Sequence, residues 1–127
     1  MTDLKGQHNR FVWVDIPVAD LDRAIAFYEG VLGVPCHRES FEGWHFAVID
    51  HKDGNGGTLV HTPDEIGDKG PTVYLNCDGR IRDAAAKAAQ LGGEMIKGIH
   101  AIGLHGFRAV IKDSEGNRIA LHSNTDA

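Results

Sequence analysis

What this chain has little of sets the first limits. Its two cysteines, Cys36 and Cys77, have neither metal-ligand nor redox spacing, which excludes a zinc ribbon, a disulfide scaffold and a thioredoxin-like centre. They read as two buried, reduced thiols of a cytoplasmic protein. No apolar stretch approaches the roughly 20 residues of a membrane helix. The polar start MTDLKGQHNR is not expected to act as a secretory signal. Positive charge is in deficit: 13 Lys and Arg against 18 Asp and Glu give a formal net charge of −5. With no Lys/Arg run to neutralise successive phosphates, nucleic acid is set aside as a partner, as is membrane. The GxGxxG pattern is absent, so no nucleotide cofactor is implied. DSEGN and KDGNGG carry acidic residues, but both are too short for a calcium loop and read as hairpin turns.

What is present is an internal repeat. Val18 and Cys77, Leu32-Gly33 and Leu91-Gly92 all lie 59 positions apart. AVIDHKDGN (47–55) matches AVIKDSEGN (109–117) at a spacing of 62, and TLVHT (58–62) lines up with IALHS (119–123) at a spacing of 61. A unit of this size cannot bury its own sheet face, so two modules are expected to complete one fold, with a ligand cleft between them. The 127 residues, 42% hydrophobic, suit one domain over 1–127, with modules at about 9–63 and 70–124.

Each module reads the same way. Residues 1–8 form a tail. FVWVDIPV (11–18) alternates, with Val12, Val14 and Ile16 on one face and Phe11, Trp13 and Asp15 on the other; Pro17 is expected to end the strand. Asp20 caps a helix carrying Leu21, Ala24, Ile25, Tyr28, Val31 and Leu32 at helical spacing, and Gly33 stops it. Strands follow at roughly 35–41, 44–50 and 57–62. In the second half, PTVYLNC (71–77) alternates, with Val73, Leu75 and Cys77 set against Thr72, Tyr74 and Asn76. Residues 80–91 form an alanine-rich helix. Glu94–Lys97 is a short strand, 98–106 a glycine- and histidine-containing loop, and FRAVIK (107–112) and RIALHS (118–123) a closing hairpin. PDEIGDKG (63–70) is the joint.

PVADLDRAIAFYEGVLGV (17–34), followed by DSEGNRIALHS (113–123), resembles the vicinal oxygen chelate superfamily, which includes glyoxalase I, bleomycin-resistance proteins, fosfomycin-resistance enzymes and extradiol dioxygenases. The pattern is most similar to its glyoxalase-like branch, and it covers about Phe11 to Ser123. The resemblance implies an α+β fold of two βαβββ modules, whose eight strands make a curved, mostly antiparallel sheet around a cavity, often in a dimer. Exposed strand edges also motivate a homodimer.

In the resembling metalloenzymes, ligands stand on the first and last strand of each module, facing the cavity. Here those positions fall on Trp13, Thr72, Leu59 or Val60, and Ala120, none of them a competent ligand except, weakly, Thr72. No cofactor is therefore expected. The alternative is a displaced divalent-metal site at His61 and His122, which occupy matching places in the repeat, with His100 or His105 from the loop.

By alternation Trp13, Asp15, Thr72, Tyr74, Asn76, Arg118, Ala120 and His122 share the inward face. Trp13 and Tyr74 suit stacking on a flat ligand, with Thr72, Asn76 and Ala120 completing its wall. Arg118 suits a carboxylate, and Asp15 and His122 suit proton transfer. Three readings follow. One is a metal-independent protein binding a small organic molecule in the intermodule cleft. The second is a lyase or isomerase, metal-free or with displaced ligands, using His122, Asp15 and Arg118. The third is a non-catalytic interaction module.

Overall fold

The computed structural model describes residues 8–127. The expected N-terminal tail therefore lies, apart from exposed His8, outside the described residues. The first module runs β1 (Trp13–Val18), α1 (Leu21–Leu32), β2 (Cys36–Phe41), β3 (Trp44–Ile49) and β4 (Gly56–His61). The second runs β5 (Val73–Asn76), α2 (Ile81–Gln90), β6 (Glu94–Ala101), β7 (Phe107–Lys112) and β8 (Arg118–Ser123). One-turn 3-10 helices at Pro63–Glu65 and Gly103–His105 sit in the connections.

The eight strands divide into two four-stranded mixed sheets, ordered β1-β4-β3-β2 and β5-β8-β7-β6. In each, the first strand pairs in parallel with the last, and the other pairings are antiparallel. The α+β class and the two repeated modules are as the sequence implies.

Local chemistry explains the helices. Asp20 accepts the Arg23 N–H at 3.0 Å, and Gly33, at φ +70°, carries the left-handed stop of α1. Leu21, Ala24, Phe27, Tyr28 and Val31 form the buried stripe; on α2 it is Ile81, Ala84, Ala85 and Ala88. Both stripes, with Ile16, Val18, Ala47, Leu59, Ala109, Ile111, Ile119 and Leu121 from the two sheets, belong to one continuous core. Each sheet thus presents one face to that core and the other outward.

Polar ties also join the modules. Arg80 donates to the Val31 carbonyl at 2.6 Å, placing a cation on the C-terminus of α1. Tyr28 Oη donates to Asp113 at 2.6 Å, and Asn117 Nδ2 donates to the Pro17 carbonyl at 2.8 Å.

Three expectations need correction. Pro17 lies inside β1 instead of ending it. β1 is an edge strand, and the Pro17 carbonyl points to Asn117, away from β4, so the missing N–H costs no ladder bond. β6 extends to Ala101 and takes in half of the expected loop; register shifts between Met95 and Lys97 and between Lys97 and His100 hide its alternation. The third concerns the repeat. Ala47 pairs with Leu59 as Ala109 pairs with Leu121, so the last strands correspond at a spacing of 62, not 61. His122 therefore matches Val60, and His61 matches Ser123.

Candidate functional site

The two outward sheet faces are the candidate surfaces. Because directly paired strand residues share a face, the registers define each surface completely. On the first sheet it carries Trp13, Asp15 and Pro17 of β1, Gly56, Thr58 and Val60 of β4, Trp44, Phe46 and Val48 of β3, and His37, Glu39 and Phe41 of β2. This is an aromatic surface with two carboxylates, Asp15 and Glu39, and one imidazole, His37; on it Trp44 and Phe41 are 55% and 65% exposed. Trp13 Nε1 donates to Thr58 Oγ1 at 2.8 Å, and the indole meets His51 edge-on at 5.3 Å. Asp15 is exposed and has no partner among the described residues.

The outward face of the second sheet is polar and basic. One row crosses it as Tyr74, Ala120, Val110 and Lys97; the next as Asn76, His122, Arg108 and His100. Arg108 reaches from its row to the next, over the small Ala120. Its Nη1 donates to Tyr74 Oη at 2.5 Å and its Nε to His100 Nε2 at 3.0 Å. The His122 Nε2–H is held by the His105 carbonyl at 2.6 Å; because a carbonyl only accepts, the ring's remaining lone pair is on Nδ1 when neutral. Asn76 is turned to its own backbone, accepting the Asp78 N–H.

Of the residues read from sequence, Trp13 and Asp15 lie together on the first face, and Tyr74, Asn76, Ala120, His122 and Arg118 on the second. Thr72 precedes β5, half-buried. The two groups are not brought face to face within one chain, because both faces point away from the shared core. Arg118 donates Nη2 to the Gly70 carbonyl at 2.5 Å, while its Nε is buried without a partner. It braces the connection before β5.

His61 pairs with Val18 and so lies on the helix side of its sheet, opposite to the side His122 takes. A site joining the two is not formed. Among the described residues no group of three or more His, Cys, Asp or Glu is arranged to hold a metal ion. With the corrected register, the last-strand position matching Ala120 is Thr58, while Leu59 is fully buried in the core. Trp13, Thr58, Thr72 and Ala120 thus stand at the four chelating positions, and this donor set does not fit a divalent cation.

Arg108 was not among the residues singled out from sequence. The signal was available: Ala109 and Ile111 are apolar, so alternation in FRAVIK turns Arg108, Val110 and Lys112 outward beside His122.

Neither thiol is poised for chemistry. Burial pushes Cys36 up to about 12 and Cys77 to about 11.

Residues 10–121 match the family model of the Glyoxalase/Bleomycin resistance protein/Dioxygenase superfamily, and the chain belongs to that family. No curated protein sequence matches it. Solved structures share the fold at low identity. A glyoxalase/bleomycin resistance protein from Albidiferax ferrireducens superposes with a TM-score of 0.73 at 17% identity, over 91% of this chain and 98% of that one. FosX, the genomically encoded fosfomycin resistance protein of Listeria monocytogenes, gives 0.67 at 12% identity, over 91% and 93%. A glyoxalase I variant from Zea mays gives 0.68 at 20% identity, over 88% of this chain and 45% of that longer one.

Proposed function

We propose that this protein binds a small organic molecule in a cleft built from its two outward sheet faces, without the metal ligands usual in such proteins. The observation that carries the reading is the filling of the four chelating positions. Trp13 and Thr58 are hydrogen-bonded to each other, and Ala120 lies beneath Tyr74 and Arg108. What remains is an aromatic wall on one face and a few polar groups on the other, the usual composition of a small-molecule site.

Since the faces point apart within one chain, the cleft needs a second copy. A homodimer in which the first face of one protomer meets the second face of its partner would join Asp15 and Glu39 to a surface carrying Arg108, Lys97 and His122. It would also cover exposed Phe41 and Trp44. Light scattering should give a dimer mass; a strict monomer overturns this arrangement. A fragment screen read by NMR should shift resonances of Trp13, Tyr74 and Val110. Binding confined to the helix side of the molecule overturns the site.

A second reading, a metal-independent lyase or isomerase, is favoured by one observation. The His105 carbonyl fixes the His122 tautomer and leaves Nδ1 as a candidate base on the outward face. Turnover abolished in His122→Gln, with fragment binding retained, would support it. Turnover unchanged in that variant would refute it.

A further inference from the structure

We infer that Arg108 is the anchor of a carboxylate site, so that the ligand of the proposed cleft is an apolar or aromatic monocarboxylic acid; this rests on the small-molecule reading above. The guanidinium is held on two sides by neutral groups. Nη1 donates to Tyr74 Oη at 2.5 Å, and Nε donates to His100 Nε2 at 3.0 Å. His100 accepts there because its other nitrogen, Nδ1, donates to the Gly98 carbonyl at 2.7 Å, which leaves the lone pair on Nε2. A guanidinium has five N–H donors. Two are spent on orientation, and both donors of Nη2 are left among the remaining three.

The other arginines are used differently. Arg23, Arg38, Arg80 and Arg82 are each ion-paired, with Glu115, Asp22, Asp83 and Asp126, and Arg10 is exposed near the start of the described residues, donating to the His8 carbonyl. Arg118 is spent on the Gly70 carbonyl. Arg108 is a half-buried cation fixed in place by neutral partners, with no carboxylate on it among the described residues, in a chain of net charge −5. Neutral acceptors orient the group without cancelling its charge, which is what an anion-binding fork requires.

The surroundings select the rest of the ligand. Ala120, fully covered, is small enough to let Arg108 cross above it to Tyr74; Val110 lies beside it, half-buried, and Tyr74 is 47% exposed. A single guanidinium among neutral groups matches a planar monoanion in charge and in geometry. The apolar remainder would lie along Tyr74 and Val110.

The test compares 3-phenylpropionate with its uncharged isostere 3-phenylpropionamide, by NMR titration of the full chain. The acid is expected to bind about tenfold or more tighter than the amide, the scale of one charge-assisted pair. That preference should disappear in Arg108→Met, which keeps most of the apolar stem. It should fall only in part in Arg108→Lys, which keeps the charge and loses the fork; this second variant also serves if the first does not fold. Tyr74→Phe, which frees the guanidinium, should weaken the acid and leave the amide unchanged. Equal affinity for acid and amide, or a preference that survives in Arg108→Met, overturns the carboxylate site and leaves the small-molecule reading standing. If neither compound shifts outward-face resonances at millimolar concentration, both fall.

Discussion

Glu115 clasps the two modules, and replacing it with glutamine gives a result that pH should switch off. The residue lies in the turn between β7 and β8, yet it caps the N-terminus of α1. It accepts the Ala19 and Asp20 N–H groups at 3.0 and 2.9 Å, Arg23 Nε and Nη2 at 2.7 and 2.9 Å, and Ser114 Oγ at 2.8 Å. Burial is the largest single influence on its ionisation and opposes it, since the side chain is fully covered. The Arg23, Asp20, Ser114 and Ala19 donors together outweigh burial and hold the carboxyl at about 2, against an ordinary 4.5. That difference corresponds to about 3 kcal/mol. Arg23 is 50% exposed, and solvent screening brings the expectation to about 2 kcal/mol. The folded-state value is the depressed one, so the contribution is full above 4.5 and is lost as pH falls toward 2. Urea unfolding of wild type and Glu115→Gln should therefore differ by about 2 kcal/mol at about pH 7 and converge at about pH 2. Taking the difference between the two proteins removes every other titrating group. A gap that stays constant across this range, or a gap under about 0.5 kcal/mol at neutral pH, would refute the clasp.

Further outcomes follow from the same structure. Tyr28→Phe removes the buried bond to Asp113, and denaturant unfolding should show a loss of about 1–2 kcal/mol, limited because Asp113 keeps the Glu115, Gly116 and Asn117 N–H donors. Gly93→Ala should fail to fold or melt far below wild type, because its Cβ would lie 2.8 Å from the Ala88 and Lys112 carbonyl oxygens and from the Phe27 ring; Gly98→Ala, with open space around it, should melt within a few degrees of wild type. The thiols of Cys36 and Cys77, pushed up to about 12 and 11, should resist a disulfide reagent at about pH 8 in the native protein and both react on unfolding. Cys77 is buried and Cys36, against the expectation of two buried thiols, only half-buried, so rapid reaction of either in the folded state would contradict the raised values.

The sequence alone determined the element order, the α+β class, the duplicated module, the helix caps and stops, and which face of β1 and β5 is apolar. Each of these is a local matter: alternation fixes a strand's face, and Asp20, Gly33 and Gly92 fix helix ends within one turn. Family membership was legible too, through residues 17–34 and 113–123. The β6 strand escaped because its register shifts break the two-residue period over residues 95–100. Arg108 escaped because an arginine in an alternating strand looks like any solvated charge until the reach over Ala120 to Tyr74 and His100 is known. The pairing of His61 with His122 failed by one residue of register, and in a strand one residue is the difference between opposite faces. Only the tertiary structure decided these points, together with the outward direction of both candidate faces. They depend on which strands lie side by side and on how two sheets share one core, and side-chain order along the chain carries no direct record of either.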